Sequence, residues 1–162
     1  MDQISFDKPL HVHFIGIGGI SMSGLAEILL DRGFTVSGSD RESSALTEHL
    51  QKLGARIRYP QSAENIEKGI ELVVYTAAIH PDNPELVAAK KAGLPIISRA
   101  GLLGEIMRNY RNAINISGTH GKTTTTSMIA EILLEADWDP TVTVGGMMRD
   151  IGGNIRVGQS EN

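Results

Sequence analysis

The sequence predicts an α/β fold, a parallel sheet with flanking helices followed by the start of a second α/β unit. Three observations predict it. Short apolar runs of strand length alternate with segments whose apolar residues recur at helical spacing. Two of the strand-to-helix transitions pass through glycine-rich turns, at residues 16–21 and 118–121. The chain has 162 residues, enough for one domain and part of another. Strands that alternate with helices bury their apolar faces best as a parallel sheet under helices.

The first strand is residues 11–15, with Val12, Phe14 and Ile15. The turn Gly16-Ile17-Gly18-Gly19-Ile20-Ser21 leads into a helix with Met22, Leu25, Ile28 and Leu29 on one face. Phe34, Thr35 and Val36 form the second strand, which closes at Gly38-Ser39-Asp40. Ser43 or Ser44 caps a helix through Leu53 that stops at Gly54. Residues 55–58 are the third strand, and Tyr59-Pro60 turns the chain. Residues 64–69 are polar and long enough for one or two helical turns. Residues 70–75 are a buried strand, closed by the small residues Thr76, Ala77 and Ala78 and the loop 80–84. Pro84 suits a helix start and Gly93 its end. Residues 94–97 form a strand, and Ser98 opens a helix to about Arg108. The polar stretch 110–112 is the expected boundary, between a first domain at 1–109 and a second beginning at 110–162.

Strand, glycine turn, helix, strand and an acid about 20 residues on is a Rossmann-like unit, built for a nucleotide. Gly16 and Gly18 fit its fingerprint, with Ser21 at the third glycine position, and Asp40 is the acid. Such a turn suits a diphosphate, and Asp40 a ribose diol. His80 and Arg99 sit where later strands leave the sheet, which places them at the ligand-binding end. His11 and His13 flank a strand and read as structural.

The second unit opens with a strand at 113–116, followed by Gly118-Thr119-His120-Gly121-Lys122-Thr123-Thr124 and a helix carrying Met128, Ile129, Ile132 and Leu133. Gly118 and Gly121 let successive N–H groups curl around a phosphate at a helix N-terminus. Lys122 brings a full charge to the outer phosphates, and the Thr123 hydroxyl offers a ligand to Mg²⁺. Ile116 stands where the general motif has its first glycine, so the loop is a shortened one. A threonine run after Gly-Lys has poor helix propensity, which favours a phosphate loop over a plain turn. His120 shapes this loop or touches phosphate or substrate rather than acting as a general base. Beyond Asp139-Pro140, a strand at 141–144 leads into a loose tail with Gly145, Gly146, Gly152 and Gly153, and Met147-Met148 belongs to core or tail.

Composition narrows the function. A net charge of −4 argues against a nucleic-acid partner, which needs a basic surface. The absence of cysteine excludes disulfides and thiolate metal sites. No apolar run reaches the roughly 20 residues of a membrane span, and residues 1–9 are unlike a signal peptide, so the expectation is a cytoplasmic protein with no membrane partner.

Gly-Thr-His-Gly-Lys-Thr-Thr-Thr at 118–125 resembles the ATP loop of the Mur ligases, the amide-forming ligases of peptidoglycan synthesis, in the form of their alanine-adding branch. His13-x-x-Gly16-Ile17-Gly18-Gly19, Met22-Ser23-Gly24, residues 37–40, Asn83-Pro84-Glu85 and Arg99-Ala100 resemble that branch in the same order. The likeness spans residues 11–157, with Ser21 and Gln61 standing where the family has Gly and His. It implies a UDP pocket from Gly16, Gly18, Gly19, Ile20, Ser21, Asp40, Thr76, Ala77, Ala78 and Arg99. It implies an ATP site at 118–124, with Lys122 catalytic and Thr123 on Mg²⁺. The implied reaction takes UDP-N-acetylmuramate, L-alanine and ATP through an acyl phosphate. Catalysis is expected to need the rest of the central domain and an amino-acid domain, so this stretch alone is expected to be inactive. Alternatives are a ligase that recycles a murein tripeptide, a module that only holds a nucleotide, and an NAD oxidoreductase, against which the Gly-Lys-Thr loop argues.

Overall fold

The computed structural model describes residues 4–148 and 151–160. The chain divides into two compact units, Met1–Ile106 and Met107–Asn162.

The first unit carries β1 (His11–Ile15), α1 (Ile20–Asp31), β2 (Thr35–Ser39), α2 (Ala45–Lys52), β3 (Arg56–Arg58), a 3-10 turn (Ala63–Asn65), β4 (Leu72–Tyr75), α3 (Pro84–Lys91), β5 (Ile96–Ser98) and the start of α4 (Arg99–Met107). Five strands form one sheet in the order β3-β2-β1-β4-β5, and every pair is parallel. The expected Rossmann-like parallel sheet is therefore present. β1 is flanked by β2 on one side and β4 on the other, so strand order reverses at β1.

Local chemistry explains the helix limits. Ser44, the second of the two candidate caps, accepts from the Thr47 N–H, and the Thr47 side chain answers to the Ser44 N–H, closing a capping box. Asn83 Oδ1 caps α3 by accepting from the N–H groups of Glu85 and Leu86, with Pro84 in the first turn. The polar stretch after β3 makes only the 3-10 turn, capped by Ser62. Ile15 and Val73 pack against Leu86 and Ala89 of α3, and Ile70 completes that cluster. Strand alternation sends Val12 and Phe14, both fully buried, to the opposite face. The apolar side of α1 is buried through Met22, Leu25, Ala26, Ile28 and Leu29.

The second unit holds α5 (Lys122–Glu135), β6 (Val142–Met148) and β7 (Gly153–Arg156). It departs from the sequence reading in three ways. Residues 113–116 form no strand, and Ile114 is 58% exposed. An apolar β-branched run becomes a strand only when a neighbour takes up its N–H and C=O groups, and β6 and β7 pair with each other instead. The glycine-rich tail is ordered as that antiparallel pair, with the glycines of β6 absorbed where the register shifts between Thr143 and Met148. On α5, Met128 and Ile132 are 58% and 67% exposed, whereas Ala130 is buried against Val142, Val144 and Met148. The hairpin covers the alanine side of the helix, and of the expected stripe Ile129 and Leu133 are half-buried while Met128 and Ile132 are exposed.

Among the described residues, no helix is long and apolar enough to cross a membrane.

Candidate functional site

Parallel sheets open a crevice beyond the carboxyl ends of their strands where strand order reverses. Here that point lies between the exits of β1, β2 and β4. Gly16 leaves β1 in the left-handed region, φ +82°, which a residue without Cβ occupies freely. A Cβ on Gly16 would stand 3.5 Å from Thr76 Cγ2 and 3.6 Å from Ile79 Cδ1, so the turn runs alongside the end of β4.

The end of β2 braces this turn. The N–H groups of Gly16 and Ile17 both donate to the Ser39 carbonyl, at 2.9 and 3.0 Å. The Gly18 N–H donates to Asp40 Oδ2 at 2.7 Å, and the Arg41 N–H to Asp40 Oδ1 at 2.7 Å. A Cβ on Gly18 would lie 2.8 Å from Asp40 Oδ2 and 3.0 Å from Thr47 Cγ2, which explains glycine at that position. Gly19 is the N-cap of α1, and its own N–H returns to the Gly16 carbonyl at 3.3 Å. The N–H groups of residues 16–19 thus hold the turn together. The first turn of α1 follows directly, with Ile20 and Ser21 exposed.

The structure brings Gly16, Gly18, Gly19, Ile20, Ser21, Asp40 and Thr76 to one end of the sheet. Ala77 and Ala78 are exposed just after β4, and half-buried Arg99 opens α4 directly after β5. His80 is exposed and bonded to Asp82, Nδ1 to Oδ1 at 2.6 Å. Gln61 accepts from Asn83 Nδ2 at 2.7 Å, which ties the turn after β3 to the cap of α3.

Sequence reasoning missed a buried polar cluster beneath this turn. Glu85 is completely buried. Its Oε1 accepts from Asn65 Nδ2 at 2.6 Å and from the Ser62 N–H at 3.2 Å. Its Oε2 accepts from the Ser39 hydroxyl at 2.5 Å and faces His13 Nε2 at 3.5 Å. Burial pushes this carboxyl upward, but hydrogen bonds from His13, Ser39 and Asn65 outweigh it and hold the group below its ordinary value. On the far side of His13, Ser37 Oγ lies 2.9 Å from His13 Nδ1 and 2.8 Å from His11 Nε2. His11 is lowered by burial first and then by Arg56. A signal was present in the sequence. His11 and His13 alternate along one strand, Ser37 and Ser39 along the next, and polar residues at period two share one face.

In the second unit, Gly121 is the N-cap of α5 at φ +78°, again left-handed. The Lys122 ammonium donates to the carbonyls of Gly118 and Thr119, so it lies over the loop. The Thr125 N–H returns to the Gly121 carbonyl at 2.9 Å and Thr126 Oγ1 donates to the Lys122 carbonyl at 2.9 Å, which settles the threonine run into the helix. Residues 117–125 are exposed, Thr119, His120, Thr123 and Thr124 among them. Among the described residues, no group of three or more His, Asp or Glu side chains is placed to hold a metal ion. The exposed Thr123 hydroxyl in the first turn of α5 is a hard oxygen of the type Mg²⁺ takes.

Comparison with known proteins bears on both turns. The family model described as "Mur ligase family, catalytic domain" matches residues 11–111, and "Mur ligase middle domain" matches residues 116–161. A UDP-N-acetylmuramate–L-alanine ligase of Lachnospira eligens is 67% identical over 158 residues, 98% of this chain and 34% of the relative. One from Agathobacter rectalis is 63% identical over 99% of this chain and 35% of its own length. The chain thus spans about a third of the length of the curated relatives it matches. Among solved structures, the UDP-N-acetylmuramate-alanine ligase of Thermotoga maritima superposes with a TM-score of 0.84 at 38% identity, over 93% of this chain and 35% of that one. The UDP-N-acetylmuramate:L-alanyl-γ-D-glutamyl-meso-diaminopimelate ligase of Neisseria meningitides gives 0.83 at 31%, over 96% of this chain and 50% of that one. With its two units matched in order by the two models, the chain belongs to the Mur ligase family.

Proposed function

We propose that the chain is the N-terminal portion of a cytoplasmic, ATP-dependent amide ligase that joins L-alanine to UDP-N-acetylmuramate in peptidoglycan synthesis. The observation that carries this reading is the pair of glycine turns on separate units, one braced by an acid and one followed by Gly-Lys-Thr. A ligase that spends ATP on a UDP-linked substrate has use for both. In this reading residues 1–109 bind the UDP moiety and 110–162 begin the ATP-binding domain.

The chemistry follows from the residues present. The Asp40 carboxylate fixes the first turn, and the N-terminus of α1 receives the diphosphate. Thr76, Ala77, Ala78 and Arg99 border the same end of the sheet. In the second unit the loop N–H groups and Lys122 hold the ATP phosphates and stabilise charge on the transferring phosphoryl group. The substrate carboxylate attacks the γ-phosphorus and ADP leaves, which gives an acyl phosphate; the amine of L-alanine then attacks the acyl carbon, loses a proton and displaces inorganic phosphate to form the amide. The Thr123 hydroxyl would help to hold Mg²⁺, which would supply charge neutralisation to the phosphates.

A second reading is a ligase that adds a tripeptide to the same nucleotide sugar. Fold does not separate the two, since the TM-scores are 0.84 and 0.83. Identity favours the first, at 38% for the alanine ligase of Thermotoga maritima against 31% for the tripeptide ligase. The test is an amide-shift titration of the chain. UDP-N-acetylmuramate is expected to move Gly18, Ile20 and Ser21, and NADH to move none of them. Shifts with NADH and none with the UDP-sugar would overturn the proposal.

A further inference from the structure

The Glu85 carboxylate reaches the first turn through one intermediary. Its Oε2 accepts from the Ser39 hydroxyl, and the carbonyl of the same Ser39 takes the N–H groups of Gly16 and Ile17. The next residue, Asp40, takes the Gly18 N–H. The end of β2 therefore holds three successive N–H groups of the turn, and Glu85 bonds to the side chain of the residue at that end. The other oxygen is anchored by Asn65 and the Ser62 N–H, so the carboxylate is held from both sides.

We infer that Glu85 is a positioning residue for the nucleoside-diphosphate turn, acting through Ser39 to set the geometry in which Gly16, Ile17 and Gly18 are clamped. A fully buried carboxylate costs stability unless every lone pair is used. An apolar residue would bridge α3 to the sheet at lower cost, but it could not orient the Ser39 hydroxyl. Charged hydrogen bonds are directional as well as strong, and direction is what a turn that must present a helix N-terminus needs.

The inference rests on the nucleotide reading of the turn for its function but not for its geometry, and two measurements separate them. Glu85→Gln keeps the size and replaces one accepting oxygen with a donating amide. Ser39→Ala removes the hydroxyl and leaves the anchoring carbonyl. Hydrogen exchange of the Gly16 and Ile17 amides, compared with the core amides of Val12 and Val74, reads positioning without any ligand. Both variants are expected to speed exchange at Gly16 and Ile17 by about tenfold or more, with the core amides unchanged. UDP-N-acetylmuramate affinity is expected to weaken by about tenfold in each variant, and the double variant to be no weaker than either alone. Asn65→Ala removes one of the two hydrogen bonds to Oε1 and leaves the bond from Ser39, so it is expected to lower Tm and to weaken that affinity by less than Ser39→Ala does. Uniform loss of protection across the sheet, or unchanged exchange at Gly16 and Ile17, overturns the inference. If Glu85→Gln does not fold, Ser39→Ala carries the same comparison. A wild-type chain that binds no UDP-sugar sinks the functional reading, while the exchange data still decide the positioning role.

Discussion

Gly38 is the tightest point of the sheet in the first unit, and replacing it with alanine tests the close approach of β1 and β2. A Cβ there would stand 2.8 Å from the Phe14 carbonyl oxygen, 2.8 Å from Ile17 Cδ1 and 2.9 Å from Ile17 Cβ. The first is backbone of the paired strand, and the last is the branch point of a fully buried side chain, so neither can swing away. Overpacking a core by one methyl costs about 1–3 kcal/mol, and rigid neighbours put Gly38→Ala at about 3 kcal/mol. For a unit of this size each kcal/mol moves Tm by about 4–8 °C, so a fall of about 12–24 °C is expected. The matched control is Gly104→Ala, in the exposed middle of α4, where nothing lies within 4 Å of the new Cβ. It should raise stability by about 0.5–1 kcal/mol through helix propensity. Urea titration followed through the Val12 and Val73 amides reports the first unit alone. If Gly38→Ala unfolds within about 0.5 kcal/mol of wild type, the distances do not describe the packing and the reasoning fails.

Other outcomes are expected. In the full-length ligase, Lys122→Ala should lower ATP affinity or turnover at least about tenfold and leave UDP-sugar binding intact, since a charged hydrogen bond contributes about 1.5–3 kcal/mol; calorimetry with each nucleotide checks this. Glu85 has a depressed folded pKa, so its stability contribution is present above its ordinary value of 4.5 and fades as pH falls through the folded value. Acid titration of Tm should show that loss in wild type and a flatter limb in Glu85→Gln. The 162-residue chain mixed with UDP-N-acetylmuramate, L-alanine, ATP and Mg²⁺ should release no phosphate above background, because among the described residues no group of three or more His, Asp or Glu side chains is placed to hold the metal ion. Turnover from protein verified to end at Asn162 would place the machinery within it.

Much of the first unit was legible because local and global signals agree there. The β1 turn, the Ser44 and Asn83 caps and the Pro84 start are written in single residues with local partners. The second unit was less so. Whether residues 113–116 pair depends on a neighbouring strand, and nothing in an apolar run of that length says which neighbour it has. The tail glycines suggested irregularity, but the hairpin is set by Val142, Val144 and Met148 packing on Ala130 and by Arg156 reaching Asp139 and the Pro140 carbonyl. Spacing singled out Asp40 for a ribose diol, but its hydrogen bonds to the Gly18 and Arg41 N–H groups were not legible, because spacing says where an acid falls and not which N–H it meets. Glu85 stayed hidden because an acid in the first turn of a helix ordinarily faces solvent and the helix dipole.

The Ser37 hydroxyl has a single proton and two imidazole neighbours, His11 Nε2 and His13 Nδ1. It can donate to one ring only and must accept from the other, so the tautomers of the two histidines are not independent. An ionised Glu85 favours a proton on His13 Nε2, which in a neutral ring leaves Nδ1 bare to accept from Ser37. Ser37 then accepts a proton held on His11 Nε2, while the Arg56 guanidinium, 3.4 Å from that same nitrogen, favours the opposite order. The row is a frustrated line of proton positions running inward from the amino-terminal end of the central strand. Nitrogen-15 shifts of His11, at the outer end, should therefore report a change of charge at Glu85, two side chains away.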